Sequence, residues 1–314
     1  MAYWEMLSSF VVDQSLEDLE YLTAVTEFLS DGSDRMICPN PWTGVCTTLF
    51  VVLARLGCLM RHKRLVQQIS HITNTTSVQR DLHENLVQKF RLIEQQLLHY
   101  RVPDVDAIED TADPDTTKEI LRTVAQVYQL TGLLELYTQV PELFDSNSKA
   151  SDLIGSDSSE KPASTHDKQF ELNHFGFRLA ISILALISSI SKSSRANLML
   201  IVPLLSAGSW LQPLSSPVAR NDDRMQFGRT PLIDSIVAIQ SHRAVDDHWR
   251  QFVRDRIELI QQIVNLGSAQ QAARLIEIVW ELAEARSQPG SSQTGKSKYW
   301  LDVMIERRME TLLG

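Results

Sequence analysis

Cysteine is scarce in this sequence: Cys38, Cys46 and Cys58 are the only three in 314 residues. Their spacings contain no Cys-x-x-Cys and no neighbouring pair of histidines, so no zinc site is expected. An odd number of thiols argues against a disulfide framework, and Cys46 and Cys58 are expected as reduced thiols packed in a core. Dense basic runs are missing as well, with 30 Lys plus Arg against 39 Asp plus Glu and a formal net charge of −9. Proteins hold nucleic-acid phosphates through Lys and Arg that displace counterions, so no direct nucleic-acid binding by this chain is expected. No apolar run reaches the roughly 20 residues that span a bilayer. The greasiest stretch, FGFRLAISILALISSI at 175–190, is interrupted by Arg178 and several serines and reads as a buried helix. The opening MAYWEMLSSF has no basic start before an apolar core, so it is not read as a signal peptide. No membrane association is expected, and the expected location is intracellular, nuclear or cytoplasmic.

Strand signals are also nearly absent, with no alternating apolar–polar run bounded by turns. What is present is helical spacing. Leu82, Leu86, Phe90, Ile93 and Leu97 recur at three- and four-residue steps and share one helical face. Val253, Ile257, Ile260 and Val264 repeat that spacing, as do Ala273, Ile276, Trp280 and Ala283, and then Leu301, Ile305, Met309 and Leu312. The fold class is all-α, an irregular array of about ten helices, arranged either as one array or as two packed lobes. At 43% hydrophobic and with 12 glycines, the chain can build a sizeable core.

Residues 145–168, DSNSKASDLIGSDSSEKPASTHDK, hold few large apolar groups and cannot offset their own ordering entropy. They are expected as a flexible linker between an N-terminal helical lobe, 1–144, and a C-terminal helical lobe, 169–314. Pro289-Gly290 breaks the chain again inside 287–298. The acidic connector RVPDVDAIEDTADPD, 101–115, ends in Asp115, which is expected to cap the following helix.

Reactive constellations are few. There is no glycine-rich phosphate loop, nucleophile elbow or His-Glu-x-x-His pair, and no cofactor is expected. In HRAVDDHWR, 242–250, His242 and Asp246 share a helical face, which fits either a metal pair or an exposed polar helix start; the latter is the expectation, with no metal. In LNHFGF, 172–177, His174 stands beside aromatic residues, where a histidine either moves a proton in an apolar pocket or simply completes a core or cap. His174 is the catalytic candidate. The six tryptophans either line an apolar ligand cavity or fill the core; Phe175, Pro203, Trp210 and Trp280 are the ligand-binding candidates. In LMLIVPLLSAGSW, 198–210, an interior proline would cost a helix roughly 3 kcal/mol or more. Pro203 is therefore expected to bend a buried helix, with Ser206, Ala207 and Gly208 letting a neighbour approach closely.

Four segments together resemble the fungal-specific transcription factor domain, the helical region that follows the zinc binuclear cluster in many fungal regulators. They are NPWTGVCTTLFVVLARLGCL at 40–59, LMLIVPLLSAGSW at 198–210, the helix pair at 249–286 with its Val-Trp, and KYWLDVMIERRMETLLG at 298–314. Their order along the chain carries the resemblance more than any one motif. The resemblance implies a regulatory helical domain, and three cysteines are too few for the family's six-cysteine cluster. Because genes for such regulators often lie in metabolite clusters, it also implies a small apolar metabolite as ligand, with a regulatory protein or a second copy of the chain as the macromolecular partner. The alternative is a stand-alone enzyme of fungal secondary metabolism. This would be a cofactor-independent cyclase or isomerase, pericyclic chemistry included, that holds reacting ends together in an apolar inter-helical pocket.

Overall fold

A computed structural model describes residues 1–24, 36–70, 76–144, 165–212, 242–264, 267–287 and 298–309. Among the described residues all regular structure is helical, and β pairing is limited to two isolated bridges, Ile37 with Ile108 and Asn40 with Gly44. The all-α expectation holds. No helix among them is long and apolar enough to cross a membrane.

The chain forms two compact units. The first takes residues 1–147, 193–196 and 313–314 and contains α1 (Ala2–Val11), α2 (Thr47–Ser70), α3 (Thr76–His99), α4 (Lys118–Gln139) and the single-turn α5 (Pro141–Phe144). α1 runs parallel to α2: Tyr3 meets Phe50 with ring centroids 5.4 Å apart, and Ser9 lies against Gly57 one helical stretch further on. A Cβ on Gly57 would stand 2.9 Å from the Ser9 backbone carbon, so glycine there sets the separation of the two helices. Gly132 of α4 makes room for the Leu53 side chain of α2 and the Leu97 side chain of α3, whose methyl groups would stand 2.6 and 2.9 Å from an added Cβ. The buried Gln129 amide donates to the carbonyls of Leu97 (2.7 Å) and Tyr100 (3.0 Å), closing the C-terminal end of α3, where backbone acceptors lack helical partners. Cys46 and Cys58 are buried free thiols, as expected; burial pushes the Cys58 thiol up to about 11 and Cys46 higher still.

Asp115 does not cap α4. Its carboxylate accepts a hydrogen bond from Ser193 at 2.6 Å, and Thr117 occupies the N-cap without a side-chain bond to the backbone of the first turn. Most of 145–168 lies outside the described residues; its last four already belong to helix.

The second unit, residues 148–192 and 197–312, contains α6 (Thr165–Ser188), α7 (Ile201–Gly208), α8 (His242–Val264), α9 (Gly267–Ser287) and α10 (Trp300–Glu306). Pro203 does not bend a helix here. A 3₁₀ turn, Arg195–Met199, ends just before α7, and Pro203 falls in the first turn of that helix, where the backbone N–H has no intrahelical partner to lose. The close approach at Gly208 is real: an added Cβ would stand 3.1 Å from Ile276 Cδ1. α10 stops at Glu306 rather than continuing through Met309 and Leu312. Arg308 takes φ 53°, and the Met309 N–H donates back to the Met304 carbonyl at 2.9 Å, a Schellman ending. Leu312 lies outside the described residues.

Candidate functional site

The polar chemistry of the second unit gathers at two chain reversals. The first follows α6. Arg256, almost fully buried on α8, donates from Nη2 to the carbonyls of Ile190 (2.7 Å) and Ile187 (3.3 Å) and from Nη1 to Asn197 Oδ1 (2.7 Å). Asn197 in turn donates to the Ser191 carbonyl at 2.8 Å. A buried guanidinium is tolerated because it meets these orphan acceptors in a forked geometry.

The second reversal is the end of α7. The Trp280 indole N–H donates to the Gly208 carbonyl at 2.8 Å, Arg250 Nε to the Leu211 carbonyl at 2.9 Å, and Tyr299 OH to the Ser206 carbonyl at 3.3 Å. Arg250 also pairs with Glu284 at 2.5 Å, and Arg254 grips Glu277 with two bonds of 2.5 and 3.0 Å. Both guanidinium groups lie over the Trp280 ring, 5.2 and 4.9 Å from its centroid. Their four-residue spacing on α8 puts them on one face, and cation–π attraction adds to the two ion pairs.

Trp210 comes next in the chain and differs from Trp280. It is half-buried, and its indole lies flat on Gly176 of α6, so close that a Cβ there would stand 2.4 Å from the ring. Its indole Nε1 is buried and has no hydrogen-bond partner among the described residues. Buried tryptophan N–H groups usually find one.

The candidates therefore divide. Trp280 is fully packed, hydrogen-bonded and covered by two arginines; Pro203 and Phe175 are buried, on α7 and α6. His174 and Trp210 are half-buried. Trp210, in the turn that follows α7, packs on Gly176 of α6, while Trp280 of α9 holds the Gly208 carbonyl at the end of α7. A shallow groove on α9 is lined by Arg274, Glu277, Ile278, Glu281, Leu282, Ala285 and Arg307, and by none of the expected residues.

Asp246 departs from the exposed helix start expected of it. Asp247 and His248 are exposed, but Asp246 is half-buried and its Oδ1 has no partner among the described residues. Burial pushes its carboxyl up to about 7, with Asp247 adding to the rise and Arg250 opposing it. Among the described residues no three His, Cys, Asp or Glu side chains group as a cation site. Gly176 and the Arg250–Arg254 pair were missed from sequence. The pair's spacing is visible there, but only the fold shows that both arginines meet Trp280.

Comparison with known proteins gives one match. The family model of the fungal specific transcription factor domain matches residues 1–314. No curated protein and no solved structure matches the chain.

Proposed function

Because the chain belongs to the fungal specific transcription factor domain family, and that membership supports a regulatory role, we propose that it senses a small apolar metabolite and passes the signal to a regulatory protein, in the nucleus or cytoplasm, without gripping DNA itself. The observation that carries the ligand is Trp210. A half-buried ring resting on a glycine, with its N–H buried and unpartnered among the described residues, is an apolar surface with one aimed donor, the composition of a small-molecule site. Phe175, next to Gly176 on α6, supplies an apolar wall in this reading, Pro203 fixes the start of α7, His174 offers a second polar contact, and Trp280 acts only by holding the end of α7 through the Gly208 carbonyl.

Nile red, an apolar fluorophore with a ring carbonyl, is the probe. Trp210→Phe keeps the aromatic surface and deletes the donor. Loss of one neutral hydrogen bond costs about 0.5–1.5 kcal/mol, so affinity should fall severalfold while the melting temperature barely moves. Trp210→Ala should remove binding. Equal Nile red affinity in the parent and both variants would overturn the site.

One observation favours the enzyme reading. A half-buried carboxyl titrating near neutrality, as Asp246 does, suits a general acid–base for a cyclase or isomerase. Turnover abolished by Asp246→Asn, with Nile red binding retained, would select that reading over sensing.

A further inference from the structure

The first unit carries a surface that the ligand reading does not use. Three large apolar side chains within one short connector face solvent: Met36 is 52% exposed, Ile37 37% and Trp42 67%. Isolated exposed apolar groups are ordinary, but a cluster marks an interaction surface. The backbone of the turn that carries Trp42 is also braced. Asn40 Oδ1 accepts from the N–H groups of Trp42 (2.9 Å) and Thr43 (3.2 Å), the Asn40 and Gly44 backbones exchange bonds of 2.9 and 2.8 Å, and Gly44 sits at φ +54°. A turn braced this way leaves little backbone entropy to lose when the indole is engaged. The parallel register of α1 and α2 brings a second exposed indole, Trp4, to the same end of that helix pair.

The neighbouring connector at 101–115 is predominantly acidic, with six carboxylates against the exposed Arg101. Ile37 bonds to the connector at 101–115, its N–H to the Ala107 carbonyl at 2.7 Å and its carbonyl to the Glu109 N–H at 2.9 Å. The Cys38 thiol is hydrogen-bonded to Glu109. Asp104, Asp106 and Asp110 on that connector are exposed, and among the described residues no Lys, Arg or His forms an ion pair with them or with Glu109.

We propose that this surface, Met36, Ile37 and Trp42 bordered by Asp104, Asp106, Glu109 and Asp110, docks a basic segment of a partner protein anchored by apolar side chains. An aromatic anchor with a rim of opposite charge is the usual composition of such a contact. Nucleic acid and anionic lipid are repelled by the same carboxylates, and a second copy of this acidic chain would bring like charge to the surface. The proposal stands on the first unit alone and is independent of ligand sensing at Trp210.

The test is fluorescence anisotropy of a short amphipathic peptide of leucine and lysine, titrated with the full chain. Salt-sensitive binding should weaken about tenfold or more with Trp42→Ala, and again with Asp104→Asn, Asp106→Asn and Asp110→Asn combined. Asp247→Asn, Asp255→Asn and Glu258→Gln combined, which remove as many charges from α8, should change it less than about twofold, and so should Trp210→Phe. Thermal melts of the variants, whose substituted side chains are exposed apart from Trp210, check that each is folded. Absence of peptide binding, equal loss from the two carboxylate sets, or full binding by the Trp42→Ala chain would each overturn the proposal without touching the Trp210 reading.

Discussion

Asp246 shows how local burial outweighs a residue's position along a helix. Near a helix N-terminus the dipole favours a carboxylate, which would hold the group ionised. Burial acts the other way and moves it from its ordinary 3.8 to about 7. A carboxyl with a raised folded value binds its proton more tightly when folded, so its contribution to stability falls as pH rises from about 4 to about 7. Asp246→Asn removes that dependence. The variant should melt higher than the parent at pH 8, and the gap should close as pH is lowered towards 4. Parallel melting profiles across that range would show that water reaches the carboxyl after all. Nothing in the spacing of HRAVDDHWR separates Asp246 from exposed Asp247; only the packing around α8 does so.

Helical elements were legible because one periodicity recurs through most of the chain, yet periodicity does not say where a buried stripe ends. On α3, Leu86, Phe90, Ile93 and Leu97 are buried as the spacing predicts, while Leu82 on the same stripe is 41% exposed. Termini were the other weak point. α10 ends because Arg308 adopts a left-handed conformation that no glycine announces, and Pro203 marks the first turn of α7, although the sequence reads as one longer helix around it. Gly208 was legible as a contact, and its geometry makes the expectation sharper. A Cβ would already stand 3.1 Å from Ile276 Cδ1, 3.3 Å from its Cγ1 and 3.5 Å from Val253 Cγ1. The larger side chain of Gly208→Leu must displace those groups and disturb the carbonyl that Trp280 holds, a cost of about 1–3 kcal/mol or more. Gly267, the first residue of α9, has no atom within 4 Å of where a methyl group would stand, so Gly267→Ala should stabilise by about 0.4–1 kcal/mol. Equilibrium unfolding of both variants should give opposite signs; a Gly208→Leu chain as stable as the parent would show that α7 yields freely against α8 and α9.

At the scale of the whole chain, family and net charge were legible in the sequence, whereas the environment of each aromatic side chain was not. The six tryptophans look alike in sequence, yet three are buried, Trp210 is half-buried, and Trp4 and Trp42 face solvent. Neighbours distant in the chain decide these fates: Gly176 for Trp210, and Arg250 with Arg254 for Trp280. Charge needs no such neighbours, because its sum acts at long range. With 30 basic against 39 acidic residues, a duplex approaching these 314 residues meets net repulsion, and the exposed arginine–carboxylate pairs are already partly neutralised, as Arg254 is by Glu277. Affinity for DNA grows with the number of phosphates that cations neutralise and falls steeply with salt, so a chain whose cations are outnumbered by its carboxylates has little to offer even at low ionic strength. Titrating a fluorescently labelled duplex with the chain at low salt should therefore leave anisotropy unchanged into the micromolar range. Micromolar binding that weakens as salt is added would mean that a basic face outweighs the net charge, and the chain would then contact DNA directly.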